Sequence, residues 1–205
     1  MAHILHIDAS PRGDRSVSRT LAKEFIESWK IAHPEDTFTY RDLGHHPVPF
    51  ITEEWIAAAF TPPDQHTPEM ADAIRLSNEL VDEFLGVDRY VFSIPMYNFA
   101  IPASFKAYVD QILRAGRTFA VDENGYHGLV TGKKAVLILA QGGTYPEGSP
   151  ASGYDMQTPY LKLILGFMGI TDLQFAYADN LMDKGEGREK AIANARAILQ
   201  DLVAQ

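Results

Sequence analysis

The sequence contains no cysteine. Disulfide bonds, thiolate metal ligands and cysteine nucleophiles are therefore excluded, and the thiol-dependent phosphatases are excluded with them. A chain without cysteine also suits the reducing environment of the cytoplasm, which is where we expect this protein to lie.

Long apolar segments and an excess of basic residues are lacking as well. No apolar run reaches the roughly 18 residues that are needed to span a bilayer. Residues 1–8 lack the basic and apolar regions of a signal peptide. The formal net charge of −9 argues against nucleic acid and anionic membranes as main partners, since both favour basic surfaces. An anionic ligand would need a local pocket rich in hydrogen-bond donors.

Several motifs of known chemistry are also missing. The turn at residues 9–16 contains neither G-x-G-x-x-G nor G-x-x-x-x-G-K-[ST], which argues against dinucleotide-binding proteins of the Rossmann type and P-loop nucleoside triphosphatases. No G-x-S-x-G elbow surrounds Ser10, which argues against a serine hydrolase. We expect no metal site, because no spacing typical of zinc ligands joins His3, His6, His45, His46 and His66.

The composition of the chain and the spacing of its apolar residues indicate a globular α/β protein. The 205 residues are 46% apolar and 22% charged, and we expect one domain over residues 1–205. Apolar periodicity predicts strands at residues 3–9, 37–40, 90–94, 134–140 and 172–177. It predicts helices at residues 16–33, 53–60, 67–85, 104–113, 154–168 and 186–203. Residues 116–132 are predicted to form a polar loop punctuated by glycine.

The order of these elements predicts the fold. Strands that alternate with helices indicate right-handed βαβ crossovers and a parallel sheet. Five such strands favour the flavodoxin-like doubly wound fold, with strand order 2-1-3-4-5 and helices on both faces of the sheet. Ligands of that fold bind beyond the carboxyl ends of the strands, near the switch between strands one and three. The loops after strands one, three and four should therefore be neighbours in space.

The loop after the first strand carries Ser10, Ser16 and Ser18 around the start of a helix. The N-terminus of a helix presents free N–H groups and the positive end of its dipole, which together suit a phosphate. Serine hydroxyls add donors, and Arg12 or Arg15 could supply charge. Serine is also a common helix cap in proteins without a phosphate site, so this loop alone leaves both interpretations open.

The loops after the third and fourth strands offer surfaces for a flat ring. Residues 95–102 place two aromatic rings and an amide between two prolines that stiffen the turn. Gly142-Gly143 lets the backbone approach a ligand closely. Each loop alone also has a structural interpretation, as an ordinary connection or a flexible turn. Together with the serine loop they describe a site for flavin mononucleotide (FMN), with a phosphate cradle and clamps for a planar ring.

In these motifs the chain resembles the bacterial FMN-dependent NADH:azoreductases, relatives of the quinone reductases with a flavodoxin-like fold. The resemblance covers the whole chain, with one departure: Ala140-Gln141 stands where those relatives carry Ser-Arg. It implies that the FMN phosphate is held by Ser10, Ser16, Val17 and Ser18. It implies that the isoalloxazine ring is held by Pro95, Met96, Tyr97, Asn98 and Phe99 and by Ala140, Gln141, Gly142 and Gly143.

The resemblance also implies an activity. The enzyme would transfer two electrons from NADH or NADPH to azo compounds or quinones by a ping-pong mechanism, through non-covalently bound FMN. Because the cofactor carries the chemistry, we expect no obligatory acid or base among the side chains. We predict that Phe99, Phe119 and Tyr126 stack around the substrate. The resemblance further implies a homodimer with two sites at the interface, each built from both chains.

Other classes of protein compete with this interpretation. An electron-carrier flavoprotein would bind FMN but pass single electrons to protein partners. The excursions at residues 44–68 and 116–132 favour an enclosed enzyme site over the exposed flavin edge of a carrier. A binding module without cofactor is a third alternative. A receiver-type signalling module would need an acidic cluster after the first strand, where Asp8 stands almost alone.

Overall fold

The computed structural model describes residues 1–204 of the chain. The strands within these residues are β1 (His3–Asp8), β2 (Thr37–Asp42), β3 (Arg89–Pro95), β4 (Phe119–Asp122), β5 (Gly125–Gly128), β6 (Lys134–Ala140) and β7 (Asp172–Ala178). The α-helices are α1 (Val17–Ala32), α2 (Glu53–Phe60), α3 (Pro68–Leu85), α4 (Ala103–Ile112), α5 (Gln157–Met168) and α6 (Glu186–Val203). Each predicted strand and helix is present, with boundaries that differ by a few residues.

Five strands form one parallel sheet in the order β2-β1-β3-β6-β7. Counted within the sheet, this order is 2-1-3-4-5, which confirms the predicted flavodoxin-like arrangement. The register pairs Asp8 with Ser93 and Pro95 with Ala140, so β1, β3 and β6 end at one edge. The loops that follow these strands are therefore neighbours, as the sequence predicted.

Helices cover both faces of the sheet. One cluster of buried side chains lies between the sheet and α3, α4 and α5, and a second lies between the sheet and α1 and α6. The interior strand β6 contributes to both clusters, since Leu137 and Leu139 belong to the first and Ile138 to the second. Burial on both faces is why the sequence of β6 is unbroken in apolar residues from Ala135.

Helix α1 begins where the sequence predicted. Ser16 is its N-cap, and the hydroxyl of Ser16 accepts the N–H of Arg19 at 3.5 Å. Leu21, Phe25 and Trp29 recur every fourth residue and are all buried. This stripe holds the start of α1 against the sheet, directly beside the end of β1.

The predicted polar loop at residues 116–132 is wrong. β4 and β5 pair there as an antiparallel hairpin, and Gly125 after the turn has a φ of 108°. The hairpin rests on the end of α5, because a Cβ on Gly128 would lie 2.2 Å from the amide nitrogen of Gly169. Strands of four residues with few apolar positions carry too little periodicity to be recognised, and packing against α5 decides their structure.

Candidate functional site

The loop after β1 and the first turn of α1 form a buried set of donors. Ser10, Ser16 and Ser18 are 0%, 3% and 0% exposed, and the hydroxyls of Ser16 and Ser18 lie 3.3 Å apart. Within residues 1–204 the N–H groups of Val17 and Ser18 donate no hydrogen bond, as expected in the first turn of a helix. Free N–H groups at a helix N-terminus suit a phosphate.

Arg19 follows these donors directly, but two carboxylates compensate its charge. It forms ion pairs with Asp8 and Asp42, and its side chain is 10% exposed. Although burial opposes ionisation, hydrogen bonds from Arg19 and His45 hold the pKa of Asp42 well below its usual range. The view that Asp8 stands almost alone is thus corrected, because Asp42 lies opposite Asp8 in the parallel register of β1 and β2.

The segment after β3 is a two-residue turn with a left-handed backbone at its tip. Tyr97 and Ala100 exchange two backbone hydrogen bonds, of 2.9 and 3.1 Å. Asn98 and Phe99 between them have φ angles of 48° and 71°. Such angles are strained for a residue like phenylalanine, and strain of this kind concentrates at functional sites. Neither residue's N–H donates a hydrogen bond within the described part of the chain, so both remain available to a ligand.

The turn after β6 presents its N–H groups on one side. The carbonyl oxygens of residues 141–143 accept hydrogen bonds of 3.0–3.1 Å from the N–H groups of residues 180–182. Because the C=O and the following N–H of a trans peptide point in opposite directions, the N–H groups of residues 142–144 point away from that segment. Successive donors that face the same way form a suitable edge for acceptor atoms of a ligand.

One backbone hydrogen bond joins the starts of these two turns. The N–H of Met96 donates to the carbonyl of Ala140 at 2.8 Å. Gln141 is buried, and its side chain is directed toward Gln157 rather than toward solvent. The backbone of Gln141 is occupied too, since its N–H donates to Ala178 at 2.9 Å and its carbonyl accepts from Leu181 at 3.1 Å. Gln141 therefore holds the turn in place, and the unused donors follow it at residues 142–144.

The three predicted substrate-stacking residues fall into two groups. The ring of Phe99, 49% exposed, lies 5.3 Å from that of Tyr154, and the carbonyl of Phe99 accepts the N–H of Met156 beside the start of α5. Phe119 and Tyr126, on β4 and β5, lie 4.9 and 5.4 Å from the ring of Phe167 near the end of α5. The ends of a twelve-residue helix are about 16 Å apart, so one chain does not bring the two groups together.

An apolar groove begins beside Asn98 and runs along α4 and α5. Its volume is about 830 Å³, and its walls include Ile101, Tyr160 and Leu163. Leu163 is 67% exposed, which is high for a leucine in an apolar surface. The groove is continuous with the turn at residues 97–100, and it was not foreseen from the sequence.

The described residues contain neither a metal-binding cluster nor a helix that could cross a membrane. Across residues 1–204, no group of three or more histidine, aspartate or glutamate side chains is arranged to hold a metal ion. No helix in the same residues combines the length and apolar character that crossing a membrane requires.

A doubly wound parallel sheet with donor-rich turns at its carboxyl edge defines a flavodoxin-like protein. The model of a family described by its flavodoxin-like fold matches residues 2–203. The chain is 60% identical over 205 residues to the FMN-dependent NADH:quinone oxidoreductase of Nostoc punctiforme, with 100% of both chains covered. It is 45% identical over 196 residues to FMN-dependent NADH:quinone oxidoreductase 3 of Pseudomonas aeruginosa, with 96% of this chain and 90% of the relative covered.

Solved structures of azoreductases have the same fold as this chain. The azoreductase AzrA superimposes with a TM-score of 0.92 at 30% identity, with 99% of both chains covered. An FMN-dependent NADH-azoreductase from Bacillus anthracis in complex with FMN superimposes with a TM-score of 0.89 at 28% identity, with 100% of this chain and 98% of that chain covered. The chain therefore belongs to the flavodoxin-like family of enzymes named FMN-dependent NADH:quinone oxidoreductases, which confirms the resemblance drawn from its motifs.

Proposed function

We propose that this protein binds FMN non-covalently and transfers two electrons from NADH to quinones and azo compounds. The observation that carries the proposal is the alignment of unused N–H groups at residues 17–18, 98–99 and 142–144 along one edge of the sheet. When bound, FMN supplies the capacity to take up hydride and to release two electrons. Donor and acceptor would use the same space in turn, which makes the kinetics ping-pong.

The loops at the carboxyl edge of the sheet offer the hydrogen-bond donors that the phosphate and the ring of FMN would need. The phosphate would be held by the hydroxyl and N–H groups of Ser10, Ser16, Val17 and Ser18. The ring would be held by Pro95, Met96, Tyr97, Asn98 and Phe99 on one side and by Ala140, Gln141, Gly142 and Gly143 on the other. The backbone hydrogen bond from Met96 to Ala140 joins these two turns side by side.

The chain itself would bind, orient and hydrogen-bond the reactants. The N–H groups of Asn98 and Phe99 would stabilise negative charge as it develops at the edge of the ring, because they are oriented before the reaction starts. The half-exposed ring of Phe99 offers a flat apolar face to an aromatic acceptor. Electron transfer of this kind requires no side-chain acid or base, and we propose none.

We further propose a homodimer in the cytoplasm, with the two active sites at the interface. Phe99 lies at one end of α5, and Phe119 and Tyr126 lie at the other. A second copy related by two-fold symmetry would bring its own Phe119 and Tyr126 toward Phe99. The apolar groove along α4 and α5 provides the surface on which such a copy would pack.

The test is reconstitution with FMN followed by steady-state kinetics. We expect the purified protein to take up FMN and to oxidise NADH with a benzoquinone and with an azo dye, faster than it oxidises NADPH. Parallel lines in double-reciprocal plots would support the ping-pong mechanism, and intersecting lines would contradict it. A protein that binds FMN but oxidises NADH with neither acceptor would favour an electron carrier. A protein that takes up no FMN would contradict the proposal as a whole.

A further inference from the structure

One largely buried arginine, Arg19, connects the two sides of the loop proposed for the phosphate. The Nε of Arg19 donates to the carbonyl oxygen of Ser10 at 2.6 Å. Arg19 follows Ser18 directly in α1, whereas Ser10 lies at the end of β1, before the turn. A single side chain therefore sets the separation between the donors on α1 and the serine that faces them.

The rest of the guanidinium is held in a fixed orientation. Its Nη1 donates to Asp42 at 2.9 Å and to Asp8 at 3.3 Å, and its Nη2 pairs with the second oxygen of Asp42. The hydroxyl of Tyr40 accepts from Nη1 at 3.1 Å and donates to Asp8 at 2.8 Å. With two carboxylates around it, the guanidinium contributes geometry to the loop rather than unpaired positive charge.

Gly44 confines the same carbonyl from another direction. A Cβ at Gly44 would lie 2.2 Å from the carbonyl oxygen of Ser10 and 2.7 Å from Nη2 of Arg19. No side chain fits there without moving the backbone of Ser10. The hydroxyl of Ser10 meanwhile lies 3.4 Å from that of Tyr97, toward the turn after β3. Fixing the Ser10 carbonyl thus fixes the backbone from which the Ser10 hydroxyl projects.

We propose that Arg19 is a positioning residue for the phosphate end of the FMN site. It acts through the Ser10 carbonyl, which it holds against Gly44, and it does not act by attracting the phosphate. The inference rests on the proposed function, since it concerns where the phosphate of FMN would bind. A competing explanation is long-range attraction, because Lys23 and Lys30 line the cavity of about 780 Å³ beside Arg19.

Comparing FMN with riboflavin tests the proposal, because riboflavin lacks the phosphate. The variant is Arg19→Lys, which keeps the positive charge but replaces donors on three nitrogens of a planar fork with donors on one nitrogen, so the bond to Ser10 and the bidentate pair with Asp42 cannot both keep their geometry. We expect the dissociation constant for FMN, measured by quenching of flavin fluorescence, to rise about tenfold or more, as for loss of a charge-assisted hydrogen bond. The dissociation constant for riboflavin should change by less than about threefold.

Arg41→Lys is the matched control. Arg41 lies next to Asp42 on β2 and makes a bidentate ion pair with Glu83, with distances of 2.7 and 2.8 Å. Its replacement measures the general effect of breaking a half-buried arginine–carboxylate pair, and it should leave the preference for FMN over riboflavin unchanged.

Gly44→Ala tests the role of the Ser10 carbonyl independently, because it leaves the guanidinium of Arg19 unchanged. It should displace the Ser10 carbonyl and reduce the preference for FMN as Arg19→Lys does. Equal weakening of FMN and riboflavin, or an unchanged preference in both variants, would overturn the proposal. An effect of Arg19→Lys that disappears at high salt would also overturn it, in favour of long-range attraction. Failure of the proposed function is distinguishable, because it would appear in the unaltered protein, as absence of FMN binding or as absence of NADH oxidation with either acceptor.

Discussion

The side-chain amide of Gln141 donates a hydrogen bond to the side-chain oxygen of Gln157 across 3.1 Å, inside the protein. Gln157 in turn donates to the backbone carbonyl of Ile94 at 3.1 Å. Gln141 is 3% exposed and Gln157 is 0% exposed. This buried chain ties β6, α5 and β3 together at the point where the two turns proposed for the flavin ring begin.

Replacing Gln157 with leucine should destabilise the protein. The change leaves the buried Gln141 amide without its partner, which costs about 1–3 kcal/mol, and removes the side-chain hydrogen bond to the Ile94 carbonyl, which contributes about 1 kcal/mol. We expect the free energy of unfolding in urea to fall by about 2–4 kcal/mol. Gln174→Leu on the exposed side of β7 is the control and should change it by about 0.5 kcal/mol or less. Equal effects of the two variants would argue against the amide chain as a stabilising element.

The contact between the hairpin and α5 predicts that replacing two different glycines with alanine changes the unfolding free energy in opposite directions. A Cβ on Gly128 would lie 2.2–2.5 Å from backbone atoms of Met168 and Gly169, so Gly128→Ala should lower the unfolding free energy by roughly 2 kcal/mol or more. Gly166 lies within α5 with nothing within 4 Å of an added Cβ, and Gly166→Ala should raise the free energy by up to about 1 kcal/mol. Thermal or urea unfolding measures both, and a neutral Gly128→Ala would show that the hairpin is not packed as described.

The turn at residues 97–100 should act through its backbone. Asn98→Gly keeps the N–H and suits a φ of 48°, so FMN affinity should change by no more than about threefold. Asn98→Val places a β-branched residue at the same angle, at a cost of about 1–3 kcal/mol, and should weaken FMN binding by about tenfold or more. Fluorescence titration compares them. If glycine weakens binding as much as valine does, the side chain of Asn98 and not its backbone is responsible.

The apolar groove predicts the oligomeric state. Leu163→Glu places a charge in the wall of the groove and should convert the proposed dimer to a monomer. Light scattering during size-exclusion chromatography measures the mass. Ile31→Glu is the matched control, because Ile31 is 83% exposed at the end of α1, outside the groove. A parent protein that is already monomeric would contradict the dimer, as would a Leu163→Glu variant that remains dimeric.

The pair Asp8 and Asp42 predicts loss of stability in acid. Burial raises the pKa of each carboxyl, but the hydrogen bonds and cations around them outweigh burial and leave both below the ordinary value of 3.8. A carboxyl whose folded pKa is lowered stabilises the fold above its unfolded pKa, and that stability is lost as the pH falls through the folded pKa. The contribution should therefore be complete at pH 5 to 7 and decline below about pH 4.

Urea unfolding at a series of pH values measures this decline. Asp42→Asn removes one of the two carboxyls, so its unfolding free energy should change less steeply below about pH 4 than that of the parent protein. Glu24→Gln breaks the exposed ion pair with Arg196 and serves as the control, because exposed pairs contribute about 1 kcal/mol or less. A slope for Asp42→Asn as steep as that of the parent would mean that other groups govern acid unfolding.

Much of the fold could be predicted because the relevant signals are local. The four-residue spacing of Leu21, Phe25 and Trp29 predicts α1, and the apolar run from Ala135 predicts an interior strand. The order of strands and helices then leaves few topologies open. The hairpin at residues 119–128 carried no such signal, since what orders it is contact with α5, some forty residues further along the chain.

The sequence by itself determined the α/β fold, the strand order and the three loops that meet at the carboxyl edge of the sheet. It did so because periodicity and connection rules act over short stretches of chain. Only the tertiary structure decided that Arg19 is enclosed by Asp8 and Asp42, that Gln141 meets Gln157, and that the N–H groups of residues 142–144 face one way. These relationships depend on strand register and on the orientation of individual peptides, which no local pattern encodes.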